Sequence, residues 1–321
     1  MFALRGIAVS LSVFVLFYSA LSVAVRGTWR NLWFAGHQHS PAKCADLLFA
    51  LRTLPFLIAA AVTLIWAVPS FLLLEPRGAG EPLGGMPLLL SLCGLAAVFA
   101  GIWNAAAAWV RASRIIARWS REASPVGFSL VGSKTSVSVL RSSGALPPLT
   151  TAGILRPTVW LSGAAEFVLS ERELHSALRH EMVHVRRRDN LRKLIFHFVA
   201  FPGMAELESA WREVTEMAAD DAAVASVPEA LDLAAAVIKL SRLASLQPPG
   251  ELTTALVHSP AKSVNARVER LITWKEQRKK PPNRYSLGYS LCAAAAALAA
   301  LAMSYNALLI GMHAATEWLV R

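Results

Sequence analysis

Charge is scarce in this sequence. Lysine, arginine, aspartate and glutamate make up 17% of its 321 residues, against 55% hydrophobic residues. That balance takes the chain away from ordinary soluble composition and toward a membrane protein. Cysteine is scarcer still. Cys44, Cys93 and Cys292 are scattered, form no CxxC pair and offer no disulfide framework, so they are read as free thiols. Internal repeats are absent as well.

The shortage of charge is concentrated in four places. Gly6 to Val25, Leu54 to Leu74, Leu83 to Val110 and Tyr285 to Thr316 contain no Asp, Glu, Lys or Arg. Each is long enough as a helix to cross about 30 Å of hydrocarbon, and each is expected to be a transmembrane span. The first exceeds the apolar run of about 7–15 residues in a secretory signal peptide and is followed by three more, so it is read as a span that is retained. Trp29, Trp33, Trp109 and Trp318 lie near the span ends, where interfacial anchoring suits their amphipathic rings.

Loop charge predicts the orientation, because lysine and arginine are retained on the cytoplasmic side. Arg26, Arg30, Lys43 and Arg52 stand between the first two stretches against Asp46 alone. Arg111, Arg114, Arg118 and Arg121 follow the third stretch, and Lys275, Arg278, Lys279, Lys280 and Arg284 precede the fourth, whereas only Glu75, Arg77 and Glu81 separate the second from the third. The expected layout is three N-terminal spans with a basic cytoplasmic loop in residues 1–110, a cytoplasmic domain in 111–284, and a fourth span with a short extracytoplasmic tail in 285–321. Both termini then lie outside. The net charge of +11 follows from this topology and from attraction to anionic lipid, without a nucleic-acid partner.

Within the cytoplasmic segment the composition changes along the chain. Pro125 to Leu161 is rich in Val, Ser, Thr, Gly and Pro, with candidate strands at Thr135 to Leu140 and Thr158 to Leu161, and predicts a small sheet or hairpin. From Ser170 the signals turn helical. Ser170 and Glu173 have the spacing of a capping box, and Leu174, Ala177, Leu178, Glu181 and Met182 follow at helical intervals. Further helices are expected over Trp211 to Val224 and Ala230 to Leu246. Leu194 to Ala205 is uncharged but too short to span, and Pro202 interrupts it.

The first of these helices carries His180-Glu181-Met182-Val183-His184. Histidines four residues apart lie one turn apart on one helix face and can converge on a metal ion, for which zinc suits the geometry. Glu181, beside the first histidine, is placed to take a proton from a water that the metal polarises. A catalytic zinc site needs a third protein ligand, and Glu216 on the next helix can supply it, with Glu213 and Asp221 as competing choices. Asp220, one turn beyond Glu216, can accept the free ring N–H of a ligand histidine. Against this stands the plain alternative of a solvated helix face that carries two histidines beside the basic run Arg186, Arg187 and Arg188.

These motifs resemble the M56 family of membrane metallopeptidases, which contains the beta-lactam sensor-transducers of the BlaR/MecR type. The resemblance covers most of the chain. It rests on His180-Glu181-x-x-His184-x-x-Arg187-x-Asp189-Asn190, Pro202 and Glu216-x-x-x-Asp220-Asp221, with Gly153-Ile154-Leu155-Arg156-Pro157 before them and Arg267-Val268-Glu269-Arg270-Leu271 after. It implies a mainly α integral membrane protein with four spans and a cytoplasmic α+β gluzincin-like zinc peptidase domain between the third and fourth. It also implies one catalytic Zn2+ held by His180, His184 and Glu216, Glu181 as general base and Asp220 in support. The location implied is the bacterial cytoplasmic membrane, and the substrate a protein at its inner face, such as a transcriptional repressor.

Two local departures stand out. Phe201-Pro202 lacks the histidine of the family's aromatic-His-Pro element, and Ala219 stands where a cysteine is common. Antibiotic-sensing members also carry a penicillin-binding domain after the last span. This sequence shows no such segment, which leaves the signal unspecified.

Other readings compete. A membrane protease of the M48 type shares the HExxH and ExxxD pairs, and a non-catalytic membrane signalling scaffold would keep only a vestigial metal site. His37 and His39 are spaced to diverge on a helix and are not read as ligands. His175 and His197 are candidates for stabilising an oxyanion, with a surface or packing role preferred. Asp189 is read as a partner of Arg187 or a helix-end anchor. Gly153 to Leu161 is read as an edge strand that either adds a peptide substrate or only packs on the helices.

Overall fold

The computed structural model describes residues 2–35, 40–76, 84–126, 138–142, 146–244, 253–255, 261–275, 300 and 303–320. The chain divides into one unit of Met1–Gly27, Leu54–Ala100 and Gln277–Arg321 and another of Thr28–Thr53 and Gly101–Glu276. The described residues are mostly helical, and three helical stretches are long and apolar enough to cross a membrane: Phe2–Asn31, Pro41–Leu74 and Gly85–Ser120. The expected fourth span, Tyr285 to Thr316, lies largely outside the described residues. Its last part falls in helix α11 (Tyr305–Val320).

In the first unit, α1 (Phe2–Ala35) and α4 (Gly85–Ser120) cross where glycine permits it. A β-carbon at Gly94 would come within 2.7 Å of the Leu11 carbonyl oxygen, so the contact is backbone against backbone. In lipid, where water exclusion gives no drive for helix association, such close approach supplies dispersion contacts. Nearby, the Ser12 hydroxyl of α1 lies 2.9 Å from the Pro87 carbonyl oxygen of α4.

The second apolar stretch is not one regular helix. It runs from α2 (Pro41–Val62) through a π-helical turn at Thr63–Ala67 into α3 (Val68–Leu74). Pro69 explains the interruption, because it has no N–H to give the Ile65 carbonyl one turn back and its ring crowds that oxygen. The Tyr305 hydroxyl of α11 donates to the Ile65 carbonyl at 3.3 Å. Partners from neighbouring helices are how a membrane helix satisfies such irregular backbone.

The described residues of the basic stretch between the first two spans are almost all helical. α1 continues through Arg26 and Arg30, and α2 begins at Pro41, before Lys43, Asp46 and Arg52. Hydropathy cannot mark these extensions, because they pack on protein and not in lipid. Arg52 is buried, with Nε 3.0 Å from Glu208 Oε1 and Nη1 donating to the Val199 carbonyl. Asp46 accepts from Arg187 at 3.2 Å and Arg192 at 2.7 Å, and Arg30 pairs with Glu206.

The second unit is built on a sheet of β1 (Ala123–Pro125), β2 (Val139–Ser142), β3 (Leu149–Ala152), β4 (Thr158–Ser162) and β5 (Thr253–Ala255), in the order β1-β2-β4-β3-β5. β2 and β4 are parallel, and the other pairs are antiparallel. The expected Thr135 to Leu140 strand falls partly outside the described residues and corresponds to β2. β4 is buried on both faces because the sheet is covered twice. Val159 and Leu161 enter a core with Leu174, Ala177 and Leu178, while Trp160 turns the other way and meets Trp119 of α4 with ring centroids 5.7 Å apart. β4 is therefore a central strand with both edges paired. The edge strand expected over Gly153 to Leu161 is not there to add a peptide.

Helices α5 (Gly163–Val168), α6 (Glu171–Arg187), α7 (Asp189–Phe198), α8 (Ala205–Ala223), α9 (Val227–Ala244) and α10 (Ala261–Ile272) complete the unit. α6 begins as its sequence predicts. The Glu173 carboxylate accepts from the Ser170 N–H at 2.7 Å, and the Ser170 hydroxyl accepts from the Glu173 N–H at 3.4 Å. α8 starts earlier than the Trp211 expected, and buried Trp211 stacks edge-on against Phe196 of α7.

The α1/α4 crossing yields a direct expectation. Gly94→Val should lower the stability of the detergent-purified protein by about 1–3 kcal/mol, because a side chain there has only backbone to displace. Thermal unfolding of wild type and variant measures the difference.

Candidate metal centre

The ligand group is assembled from two helices, α6 and α8. α6 presents His180 and His184 one turn apart, and both are buried. Their Nε2 atoms are 3.1 Å apart. From α8, Glu216 brings Oε2 to 3.5 Å from His180 Nε2 and Oε1 to 3.5 Å from His184 Nε2. These three residues form a group whose ligand atoms all lie within 4.8 Å of one another. Ligands about 2.0–2.1 Å from a tetrahedral ion are about 3.3 Å apart, so the spacing is that of one shared cation.

The outward-facing ring nitrogens point to the same conclusion. His184 Nδ1 lies 2.7 Å from Asp189 Oδ2, and His180 Nδ1 lies 3.0 Å from Asp220 Oδ1. A carboxylate at Nδ1 favours the tautomer that keeps its proton there, which leaves the Nε2 lone pair aimed inward. Two inward lone pairs and a carboxylate at this range repel one another unless a proton or a cation lies between them. The donor set of two imidazoles and one carboxylate suits a divalent transition cation.

Asp189 reaches His184 because of an unusual turn. Arg188 adopts a left-handed conformation, φ 54°, which ends α6 and starts α7 at Asp189. Without that break Asp189 would continue the α6 spiral, away from the imidazole. Asn190 then ties the turn to the sheet, donating to the carbonyls of Thr151 at 3.1 Å and Gly153 at 3.2 Å. Gly153 itself has φ +100°, and a β-carbon there would come within 2.6 Å of the Arg156 carbonyl oxygen.

Arg267 of α10 holds the carboxylates together. It is buried, donates Nε and Nη2 to the two oxygens of Asp220 at 2.8 and 2.7 Å, and places Nη1 3.0 Å from Glu216 Oε2. Burial alone would raise the Glu216 pKa, but Arg267 first, and then His184 and His180, hold it down to about 2. Burial likewise opposes ionisation of Asp220, and Arg267 overcomes it, keeping Asp220 well below the usual carboxylate range. Desolvation pushes His180 toward the neutral form, yet Asp220 and Glu216 prevail and raise it to about 9. The centre is thus electronegative at the position where the two Nε2 atoms meet.

Glu181 behaves differently. It is fully buried, and burial raises its pKa against the opposing pull of His184, His180 and Thr151. Its Oε2 accepts from the Thr151 hydroxyl at 2.6 Å, while Oε1 is buried with no hydrogen-bond partner. One oxygen is fixed and the other is available to take a proton.

The competing third ligands lie elsewhere. Glu213 is exposed, and Asp221 pairs with Arg270. His175 is exposed on α6, His197 lies on α7, and neither belongs to the metal group. His37 and His39 lie outside the described residues. Sequence reasoning did not find Thr151 or Lys193, which burial pushes down to about 8 against the opposing pull of Glu216 and Asp189. Asp189, read as a partner of Arg187 or a helix-end anchor, does begin α7 and lies 3.8 Å from Arg187 Nε, but its closer contact is with His184, which the sequence does not announce.

Asp189→Asn and Asp220→Asn should each lower metal affinity about 10–100-fold, because each removes a carboxylate that orients a ligand imidazole. Competition against a metallochromic chelator measures this. Comparison with protein-family models and with curated proteins gives no match.

Proposed function

We propose that the chain is a zinc-dependent endopeptidase of the membrane, acting on a protein at the cytoplasmic face. The observation that carries this reading is the convergence of His180, His184 and Glu216 on one point, with the half-free carboxylate of Glu181 adjoining His180 in the same helix. The resemblance to M56 metallopeptidases in the motifs around these residues supports it. In this reading the four-span topology places both termini outside and the second unit in the cytoplasm, with a gluzincin-like arrangement of the site helices.

His180, His184 and Glu216 would hold a zinc ion, which would supply Lewis acidity toward a water molecule and the scissile carbonyl. Glu181 would accept a proton from the attacking water through its unpartnered Oε1 and give it to the departing amine. Thr151 keeps the carboxylate from turning away during the exchange. Asp189 and Asp220 hold the ligand imidazoles in one tautomer, and Arg267 keeps Glu216 ionised so that it ligates as a carboxylate. The substrate class proposed is a folded or partly extended cytoplasmic protein such as a transcriptional repressor, which makes the chemistry a step in signal transduction or regulated proteolysis.

The test uses full-length protein in detergent with a proteome-derived peptide library and end-group mass spectrometry. Wild type should cleave internal bonds, and Glu181→Gln should lose about 10²–10⁴-fold in rate, as expected for loss of a general base, while its zinc content stays unchanged. Stoichiometric zinc with cleavage that does not depend on Glu181 would refute the mechanism, and zinc without any cleavage would favour a signalling scaffold.

A further inference from the structure

A second cluster of metal-ligating side chains lies in the first unit. Glu75 ends α3, and His313 and Glu317 lie one turn apart on α11. The three offer ligand atoms that lie within 4.8 Å of one another. The arrangement repeats the logic of the first centre, with an i, i+4 pair on one helix and a carboxylate from another. α11 packs against α3, so the contact is part of the helix packing.

The cluster is not a solvated patch of charge. The Glu75 side chain is 9% exposed and that of His313 18% exposed, while Glu317 reaches outward at 49%. His313 Nδ1 is buried and has no hydrogen-bond partner, although it points toward Glu75 Oε2 at 4.0 Å; its Nε2 lies 3.7 Å from Glu317 Oε1. A buried polar atom left unsatisfied costs free energy that folding does not normally leave uncompensated. The gaps of 3.7 and 4.0 Å are too long for direct hydrogen bonds and lie at different ring nitrogens, so an ion here would use one nitrogen of His313 together with the two carboxylates, a set of ligand atoms within 4.8 Å of one another. Arg5 of α1 lies 3.2 Å from Glu75 Oε1 and offsets part of the negative charge.

We propose that Glu75, His313 and Glu317 form a second metal site for a first-row divalent transition cation of the zinc class. One imidazole and two carboxylates select such an ion over magnesium or calcium, which prefer all-oxygen shells. Glu75 follows the second apolar stretch and Glu317 the last one, so in the proposed topology the site opens to the extracytoplasmic side. A cation there draws the end of α3 and the outer turn of α11 together and competes with Arg5 for Glu75. This gives the chain a means of sensing an external metal ion. The binding site itself stands on the Glu75, His313 and Glu317 geometry and does not need the peptidase reading.

The test is equilibrium dialysis of the detergent-purified full-length chain against micromolar Zn2+, with metal counted by mass spectrometry. Wild type should hold about two ions per chain. His180→Ala should lose the first, and His313→Asn the second. Glu317→Gln, at an exposed position that folding tolerates, should weaken the second at least about tenfold. Arg5→Gln should tighten it, because a competing cation is removed, whereas a merely structural ion pair would give no gain. A wild type holding a single zinc that disappears with His180→Ala overturns the proposal. So does a second zinc that survives both His313→Asn and Glu317→Gln. The peptidase reading is judged separately, by Glu181-dependent cleavage.

Discussion

Three buried or nearly buried carboxylates, Asp189, Asp220 and Glu216, surround two imidazoles whose inner nitrogens are 3.1 Å apart, and the second unit is organised around making that arrangement tolerable. Leaving a buried charge uncompensated costs about 3–5 kcal/mol. Arg267 meets most of the requirement by bridging Asp220 and Glu216, which is why α10 must dock where it does. Arg187 is a weaker partner for Asp189 at 3.8 Å. The remaining negative potential falls between the two Nε2 atoms, so the same electrostatics that constrain the fold also create the cation site. The sheet has a supporting part: β3 carries Thr151, which restrains Glu181 and, with Gly153, anchors Asn190 beside Asp189.

A parallel constraint applies to the helices that are apolar enough to cross a membrane, because irregular backbone in a bilayer finds no water to satisfy it. Pro69 forces a π-helical turn, and Tyr305 from α11 reaches the carbonyl that the proline cannot serve. Small residues do the rest, with Gly94 letting α1 and α4 meet at the backbone. The helices then continue past the hydropathy limits, and their extensions, with Arg30, Asp46 and Arg52, are part of the second unit, within which they form ion pairs with α6, α7 and α8.

What was legible in the sequence was local. The capping box at Ser170 and Glu173, the paired histidines and the Glu216/Asp220 face all follow from helical spacing. The apolar stretches likewise announce three helices fit to cross a membrane, although their true ends do not, since a run of charges such as Arg26 to Arg52 reads as loop whether it faces water or packs on protein. What was not legible depends on chain reversals and distant pairings. Asp189 reads as a partner of Arg187 or a helix-end anchor because nothing in the sequence announces the left-handed turn at Arg188. Arg267 is 47 residues from Asp220, so its contact is set by the docking of α10 and not by any motif spacing. β4 was taken for an edge because pairing order is non-local: its neighbours, β2 and β3, are set by the fold.

The most direct test of the central claim is the coordination shell itself. Zinc X-ray absorption on the full-length chain loaded with about one equivalent should show two imidazoles at about 2.0–2.1 Å and carboxylate oxygen at about 2.0–2.2 Å, with one imidazole lost in His184→Ala. A shell that contains sulfur, or one made of oxygen alone, or one that His184→Ala leaves unchanged, would contradict the account.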